Sequence, residues 1–316
     1  MAADIPHFTL NDGTRIPSVG MGCWMGIPGG GESAEIMCKK AIKYGYRHFD
    51  TAFGYFNEEH VGKAIRESGI PRSEFYITTK LTNSDHHRVR EGFETSLKNL
   101  DCDYIDLYLM HWPQATTEKG PIRPDESPTI IDTWRNMEKL LETGKVKTIG
   151  VSNFSIKTLE QLRLHWSVVP AVNQVEMHPC LPCEDLKAYC DEKGILLVAY
   201  SPLGRPLPGQ SQTVFATEPT ITRIAEKLEV TWAQVVLSWG VQRGTSVIPK
   251  SENDDRMKAN LRLIKLSVDD MSALNNIHKS PGMHKSLLAY HRPDGTVLGW
   301  TYEELGWNLK PGGIVG

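Results

Sequence analysis

Long apolar runs are missing from this 316-residue sequence. No stretch of about 18 apolar residues occurs, which excludes a membrane-spanning helix of ordinary length. An excess of either charge is missing too: 35 Lys and Arg against 38 Asp and Glu leave a net charge of −3, with no basic cluster. Neither nucleic acid nor an anionic membrane has electrostatic support as a partner. Cysteine is sparse, six in all, too few to make a disulfide scaffold of a chain this long. The opening Met1-Ala2-Ala3-Asp4-Ile5-Pro6 lacks the basic and apolar regions of a secretion signal, so a cytoplasmic protein is expected. Metal-ligand spacing is almost absent. Cys180-x-x-Cys183 follows His178, but the segment is proline-rich, no second CxxC appears and no βαβ start surrounds it. The pair is read as ordinary cysteines, and no metal is assigned.

What is present is a rhythm. The turn Asn11-Asp12-Gly13 between short apolar runs predicts a hairpin over 7–17. Strand-like runs follow at about 18–23, 46–50, 75–80, 104–111, 146–151, 171–176, 195–200 and 245–249. Most are apolar almost without a break, as in strands buried on both faces. Helical patterns alternate with them at 33–44, 58–68, 88–100, 130–142, 156–164 and 184–193. Two more, 219–228 and 231–242, precede the eighth strand, and another follows at 253–262. Eight βα units in unbroken alternation predict a (β/α)8 TIM barrel with an N-terminal hairpin and extra helices, residues 1–316 forming one domain. The stretch from about 280 to 316 lacks periodicity and is expected to lie as a C-terminal loop over the barrel mouth.

Barrel chemistry sits where strands end. The second run ends at Asp50, with Tyr55 close behind; the third ends in Lys80 and the fourth in His111-Trp112. The fifth ends in Ser152-Asn153, the sixth carries Asn173, Gln174 and Glu176, the seventh ends in Tyr200-Ser201 and the eighth in Lys250-Ser251. Polar endings in register converge on one mouth. There, Asp50 keeps Lys80 charged, and the Lys80 charge is expected to lower the pKa of the Tyr55 phenol. Such a tyrosine can protonate a carbonyl oxygen, and a neutral His111 can donate a second hydrogen bond to it. A general acid and an oxyanion donor without nucleophile or metal suit hydride transfer from a bound cofactor.

These residues resemble a known family. Gly45-Tyr46-Arg47-His48-Phe49-Asp50-Thr51-Ala52 with Tyr55, the run Leu107–Pro113, Gly150-Val151-Ser152-Asn153-Phe154, Asn173–Glu176, Tyr200–Gly204 and Ile248–Ser251 are similar to the aldo-keto reductase signatures. The match spans about 7–275. The resemblance implies a catalytic tetrad of Asp50, Tyr55, Lys80 and His111, with Tyr55 the proton donor. It implies that Ser152, Asn153 and Gln174 hold a nicotinamide carboxamide, that Tyr200 stacks on the ring, and that Ser201 and Leu203 meet the pyrophosphate. Gly22, Cys23, Trp24 and Asp50 join that cofactor surface. Lys250, Ser251, Asn253, Arg256 and Asn260 would hold a 2′-phosphate. Lys250 and Arg256 supply positive charge where a bare ribose would want a carboxylate, so NADPH is favoured over NADH. Ala259 stands where many relatives carry a Glu, and Asp254 and Asp255 flank the basic pair.

Several look-alikes are set aside. Gly20-Met21-Gly22-Cys23-Trp24-Met25-Gly26 has its third glycine one place late for a dinucleotide fingerprint. Tyr76-x-x-x-Lys80 has the spacing of a helical Tyr/Lys pair, but on a strand the two groups stand roughly 13 Å apart. His86-His87 reads as solvated surface, and Trp134 and Trp232 as packing residues. Two other functions are weighed: a cofactor-binding sensor with little turnover, and a Schiff-base aldolase on Lys80. The small-molecule carbonyl partner is expected to meet Trp24, Tyr55, His111, Trp112 and Trp300, beneath loops 113–130, 204–217 and 280–310. Arg205 or Arg292 could bind a carboxylate, and a small polar aldehyde such as an aldose, glyceraldehyde or a uronate is the expected substrate. The family implies a monomer or weak dimer.

Overall fold

The Asn11-Asp12-Gly13 turn joins β1 (His7–Thr9) to β2 (Arg15–Pro17). Gly13 sits at φ 82°, and Thr14 donates from both N and Oγ1 to Asp12 Oδ1. In this computed structural model, which describes residues 5–206 and 209–316, the hairpin plugs one end of a barrel. Leu10 and Ile16 pack on Tyr76, Leu107, Val172 and Val198 there. Residues 1–4, part of the opening segment read for a secretion signal, and residues 207–208 of the expected mouth loop lie outside the described residues.

The barrel wall is built from β3 (Met21–Gly22), β4 (His48–Asp50), β5 (Tyr76–Leu81) and β6 (Ile105–Met110). After a small hairpin of β7 (Thr116–Thr117) and β8 (Gly120–Pro121) come β9 (Val146–Ser152), β10 (Val172–Glu176), β11 (Leu196–Tyr200) and β12 (Ser246–Ile248). The eight wall strands pair in parallel in the order β12-β11-β10-β9-β6-β5-β4-β3. Val19 bridges Val247, with Gly20 N donating to Val247 O and Val247 N to Ser18 O, both at 2.9 Å, so first strand meets last. Gly22 permits the meeting: a Cβ there would stand 2.7 Å from the Ile248 carbonyl oxygen. Both β5 and β6 are buried along their whole length, as their unbroken apolar runs require.

Helices α1 (Gly31–Tyr44), α2 (Glu58–Arg66), α3 (Val89–Leu100), α4 (Ile130–Glu138), α5 (Ile156–Arg163) and α6 (Glu184–Lys193) follow successive strands. Then come α7 (Pro219–Leu228), α8 (Trp232–Gln242), α9 (Asp254–Asn260) and α10 (Val268–Asn275). Their starts are chemical: Thr129, Ser155 and Thr231 each close a capping box with the third residue on. Apolar stripes of α1–α6, such as Met37, Cys38, Ala41 and Ile42 of α1, pack with the strands in one core, while α7, most of α8 and α10 pack in a second cluster with Phe215 and Ile277. Among the described residues no helix is long and apolar enough to cross a membrane.

The structure departs from the sequence reading in places. Helix α4 stops at Glu138, and a separate turn covers Leu141–Thr143. Helix α10 was not expected, although Ser267 caps it by accepting from Asp270 N at 3.1 Å. The tail is not plain loop: β13 (Thr296–Val297) and β14 (Trp300–Thr301) form a hairpin, α11 (Tyr302–Leu305) follows, and β15 (Leu309–Lys310) pairs with β16 (Ile314–Val315). Two-residue strands have no periodicity to read. His86 is buried beside Thr133 Oγ1, and burial pushes its imidazole down to about 3, so it is not solvated surface.

Helices α2 and α3 touch through Gly62, where a Cβ would lie 2.1 Å from Leu100 O. Arg66 Nη1 pins that carbonyl from 2.6 Å. Gly62→Ala is therefore expected to destabilise the protein by about 1–3 kcal/mol through overpacking. Urea unfolding followed by circular dichroism reads this, and an unchanged midpoint would show that the two helices part without strain.

Candidate active site

Parallel register sets Asp50, at the end of β4, opposite Thr78, so Lys80, two residues further along β5, falls on the same face toward the barrel mouth. Lys80 is wholly buried. A buried ammonium needs a partner for each proton, and Lys80 Nζ has three: Asp50 Oδ1 at 2.5 Å, Thr51 O at 2.7 Å and the Tyr55 hydroxyl at 3.5 Å. Gln174 reaches across from β10 to donate to Asp50 Oδ2 at 2.6 Å. Burial alone would push the Lys80 ammonium down, but Asp50 and Tyr55 outweigh it and hold its pKa above the usual lysine value. Burial raises the Asp50 carboxyl, while Lys80 and Gln174 pull it back. A charged, shielded Lys80 is no nucleophile, which removes the physical basis of the Schiff-base reading.

Tyr55 closes the turn Phe53–Tyr55 behind β4. Its ring lies 5.0 Å from that of Trp24 and 5.6 Å, edge-on, from that of His111. Among the described residues its hydroxyl accepts from Lys80 and donates to none, so its proton points at the cavity. One expectation is corrected here. Burial raises the Tyr55 phenol above its ordinary value, and the opposing pull of Lys80 does not overcome it. Tyr55 is thus a fully protonated donor at neutral pH rather than an acidified one. Burial, then the Lys80 charge, push His111 well below the usual histidine value, so its imidazole is neutral.

Asp50, Tyr55 and His111 line the floor of a cavity of about 840 Å³, with Lys80 buried behind Asp50 and Tyr55. Gly22, Cys23, Trp24, Asp50, Tyr55, His111 and Trp112 line one side. Ser152, Asn153, Gln174, Tyr200, Ser201, Leu203 and Lys250 line the other. Asn153 stands at φ 65°, its Nδ2 donating to His111 O at 3.0 Å and Ser152 Oγ at 3.1 Å. Tyr200 donates to Asn153 Oδ1 at 2.6 Å. Arg205 also reaches the cavity wall, whereas Arg292 is exposed and does not.

Four residues of the expected phosphate site, Ser251, Asn253, Arg256 and Asn260, lie beyond the wall rather than on it. Asn253 caps α9, its Oδ1 accepting from Arg256 N at 3.0 Å, and Asn260 is buried beside Tyr46. The flanking acids are already engaged: Asp254 pairs with Lys40 at 2.9 Å and Asp255 with Lys258 at 3.3 Å. Among the described residues no carboxylate pairs with Arg256, while Lys250 pairs with Glu252. A cluster with Lys250 at the cavity edge and an uncommitted guanidinium close behind fits a phosphate.

Trp300 does not line the cavity. It is buried under the tail with Val297, Tyr302 and Leu305, and its Nε1 donates to Ile122 O at 2.6 Å. It pegs the tail hairpin to the 113–130 loop. The tail instead presents Tyr290 and Leu298 to the cavity, neither of which the sequence marked. Tyr76 sits at the far end of β5 from Lys80, edge-on to His48, as a strand requires. Cys180 and Cys183 are both free thiols, each pushed up to about 12 by burial.

The sequence profile of the Aldo/keto reductase family matches residues 19–279. The chain is 43% identical over 292 residues to glycerol 2-dehydrogenase (NADP(+)) of Saccharomyces cerevisiae, covering 87% of this chain and 91% of that one. It is 39% identical over 300 residues to D-galacturonate reductase of Hypocrea jecorina, covering 90% and 94%. The crystal structure of a Bombyx mori aldo-keto reductase in complex with NADP superposes with a TM-score of 0.81 at 35% identity, covering 87% and 93%. Profile, relatives and barrel agree: this chain belongs to the aldo/keto reductase family.

Proposed function

We propose that this protein reduces a small polar aldehyde to the alcohol with NADPH. The observation that carries the reading is the wholly buried Lys80, tied at 2.5 Å to Asp50 and at 3.5 Å to the hydroxyl of Tyr55, both of which line a large cavity. Tyr55 has a proton and, among the described residues, no acceptor for it, so it protonates the carbonyl oxygen as that oxygen gains charge. Lys80 stabilises the phenolate left behind, and Asp50 keeps Lys80 charged and in place. Neutral His111 donates its one N–H toward the same oxygen and orients the carbonyl.

NADPH, when bound, supplies the hydride. Ser152, Asn153 and Gln174 offer amide and hydroxyl groups to its carboxamide, and Tyr200 offers a ring face. Ser201 and Leu203 follow on the path to Lys250, where the basic cluster with Ser251, Asn253, Arg256 and Asn260 would hold the 2′-phosphate. Relatives named for NADP(+)-linked glycerol oxidation and for D-galacturonate reduction support both the cofactor and a polyhydroxy substrate. Indoles of Trp24 and Trp112 beside Arg205 suit a sugar aldehyde, and Arg205 suits a carboxylate on it.

The direct assay is NADPH oxidation with glyceraldehyde, an aldose and a uronate. Turnover is expected with NADPH and slower turnover with NADH, and Tyr55→Phe is expected to lose about 10²- to 10⁴-fold in kcat. A Tyr55→Phe enzyme that keeps its rate would remove Tyr55 as the acid. A uronate ranked below the neutral aldose would remove the Arg205 contact.

The pH profile follows from the two shifted groups. Reduction needs Tyr55 protonated, and its pKa lies above the usual value of about 10. His111 is already neutral, its pKa lying well below about 6.5. The kcat/KM for the aldehyde at saturating NADPH should therefore stay flat from about pH 6.5 to about pH 10 and fall beyond. A falling limb between about pH 7 and 9 would mean that the Lys80 charge outweighs burial once cofactor is in place.

A further inference from the structure

Behind the wall shared by Asn153 and Tyr200 lies a second hollow of about 350 Å³, under the tail. Asn153, Tyr200 and Tyr290 line both cavities. Tyr290 packs edge-on to Trp112 at 5.4 Å and Tyr200 against a core cluster, but with space on two sides these rings are less tightly held than an ordinary core ring. Hydrogen bonds fix where their hydroxyls sit.

Their direction can be worked out. Asn153 Nδ2 donates to His111 O and Ser152 Oγ, which fixes Oδ1 as the face turned to Tyr200. A carbonyl oxygen only accepts, so the Tyr200 proton points to Asn153 Oδ1 at 2.6 Å. Tyr200 must then accept from the Tyr290 hydroxyl, 2.9 Å away. The result is a one-way chain, Tyr290 to Tyr200 to Asn153 to the main-chain oxygen of His111. It runs from the tail to the catalytic floor.

Glu176 anchors the tail end of this chain. Its carboxylate, buried at the end of β10, accepts from Ser286 Oγ at 2.6 Å and Leu287 N at 2.7 Å, with His178 Nε2 at 2.8 Å, while the Tyr290 hydroxyl, its proton committed to Tyr200, stands 3.4 Å away. The segment that carries Tyr290 is thus docked on a charge fixed in the barrel wall.

We infer that Tyr290 is a positioning residue for the nicotinamide end of the cofactor: docking of the tail on Glu176 sets the Tyr290 hydroxyl, which holds the Tyr200 ring and the Asn153 amide in place. The inference rests on the proposed reading that Tyr200 and Asn153 meet that ring. The adenine end, some way along the cleft at Lys250, lies outside the chain of bonds.

The test compares two ligands by fluorescence titration: NADPH, and adenosine 2′,5′-bisphosphate, which lacks the nicotinamide. Tyr290→Phe deletes one hydroxyl and keeps the ring. It is expected to weaken NADPH about 3- to 10-fold, the range for one net hydrogen bond, and to leave the bisphosphate unchanged. Unchanged binding of both ligands, or equal loss of both, would overturn the inference, the second by showing general loosening. Tyr200→Ala is the control for the underlying reading. If it weakens NADPH while Tyr290→Phe does not, the positioning role alone fails. If Tyr200→Ala leaves NADPH binding intact, the ring-contact reading fails and takes the inference with it.

Discussion

A lysine with no exposed surface dictates the rest of the mouth. Lys80 can stay charged inside the barrel only because Asp50, Thr51 O and Tyr55 take its three protons. Removing one partner from a buried charge is far more damaging than removing a surface ion pair, because the charge left behind has nothing to replace water. The requirement reaches outward. Asp50 needs Gln174 from the opposite wall, and Ser152 in turn donates to Gln174 O at 2.8 Å. The strands must close into a barrel for these groups to meet, and Gly22 is the residue whose bare Cα lets them close. In the proposed reaction the same buried charge receives the phenolate.

The tail is tied to this centre by polar bonds as well as by the packing of Tyr290 and Trp307 on Trp112. Trp300 pegs its hairpin to one loop, Ser286 and Leu287 dock on Glu176, and Tyr290 passes the constraint inward through Tyr200. Cavity-lining residues such as Leu298 are carried on that tail. Tail contacts can therefore change while the Asp50–Lys80 pair keeps its own bonds, whose partners come from β4, β5, β10 and the turn after β4. That separation is physically suited to a fixed chemistry with an adjustable mouth.

The fold was legible where burial writes a long signature. Unbroken apolar runs such as 104–111 became fully buried β6, and polar groups at strand ends such as His111 and Asn153 line one cleft. Legibility failed where a residue's role depends on a distant partner. Trp300 was read as pocket lining because it lies in the tail, yet its partner is a carbonyl of another loop. Tyr290 carried no sequence signal, since only the tertiary fold sets it beside Tyr200. The Tyr55 phenol was read from its charged neighbour alone, and the opposing effect of burial is a property of the packed site. His86 stood in a polar stretch, and the fold turned it inward against Thr133.

The central claim is that Asp50 acts through Lys80 as one unit. Single-turnover hydride transfer in Asp50→Asn, Lys80→Met and the double variant tests it most directly, as a double-mutant cycle. If the two residues are one device, the double variant is about as slow as the slower single variant. If instead the two losses multiply, Asp50 and Lys80 act independently and the account is contradicted.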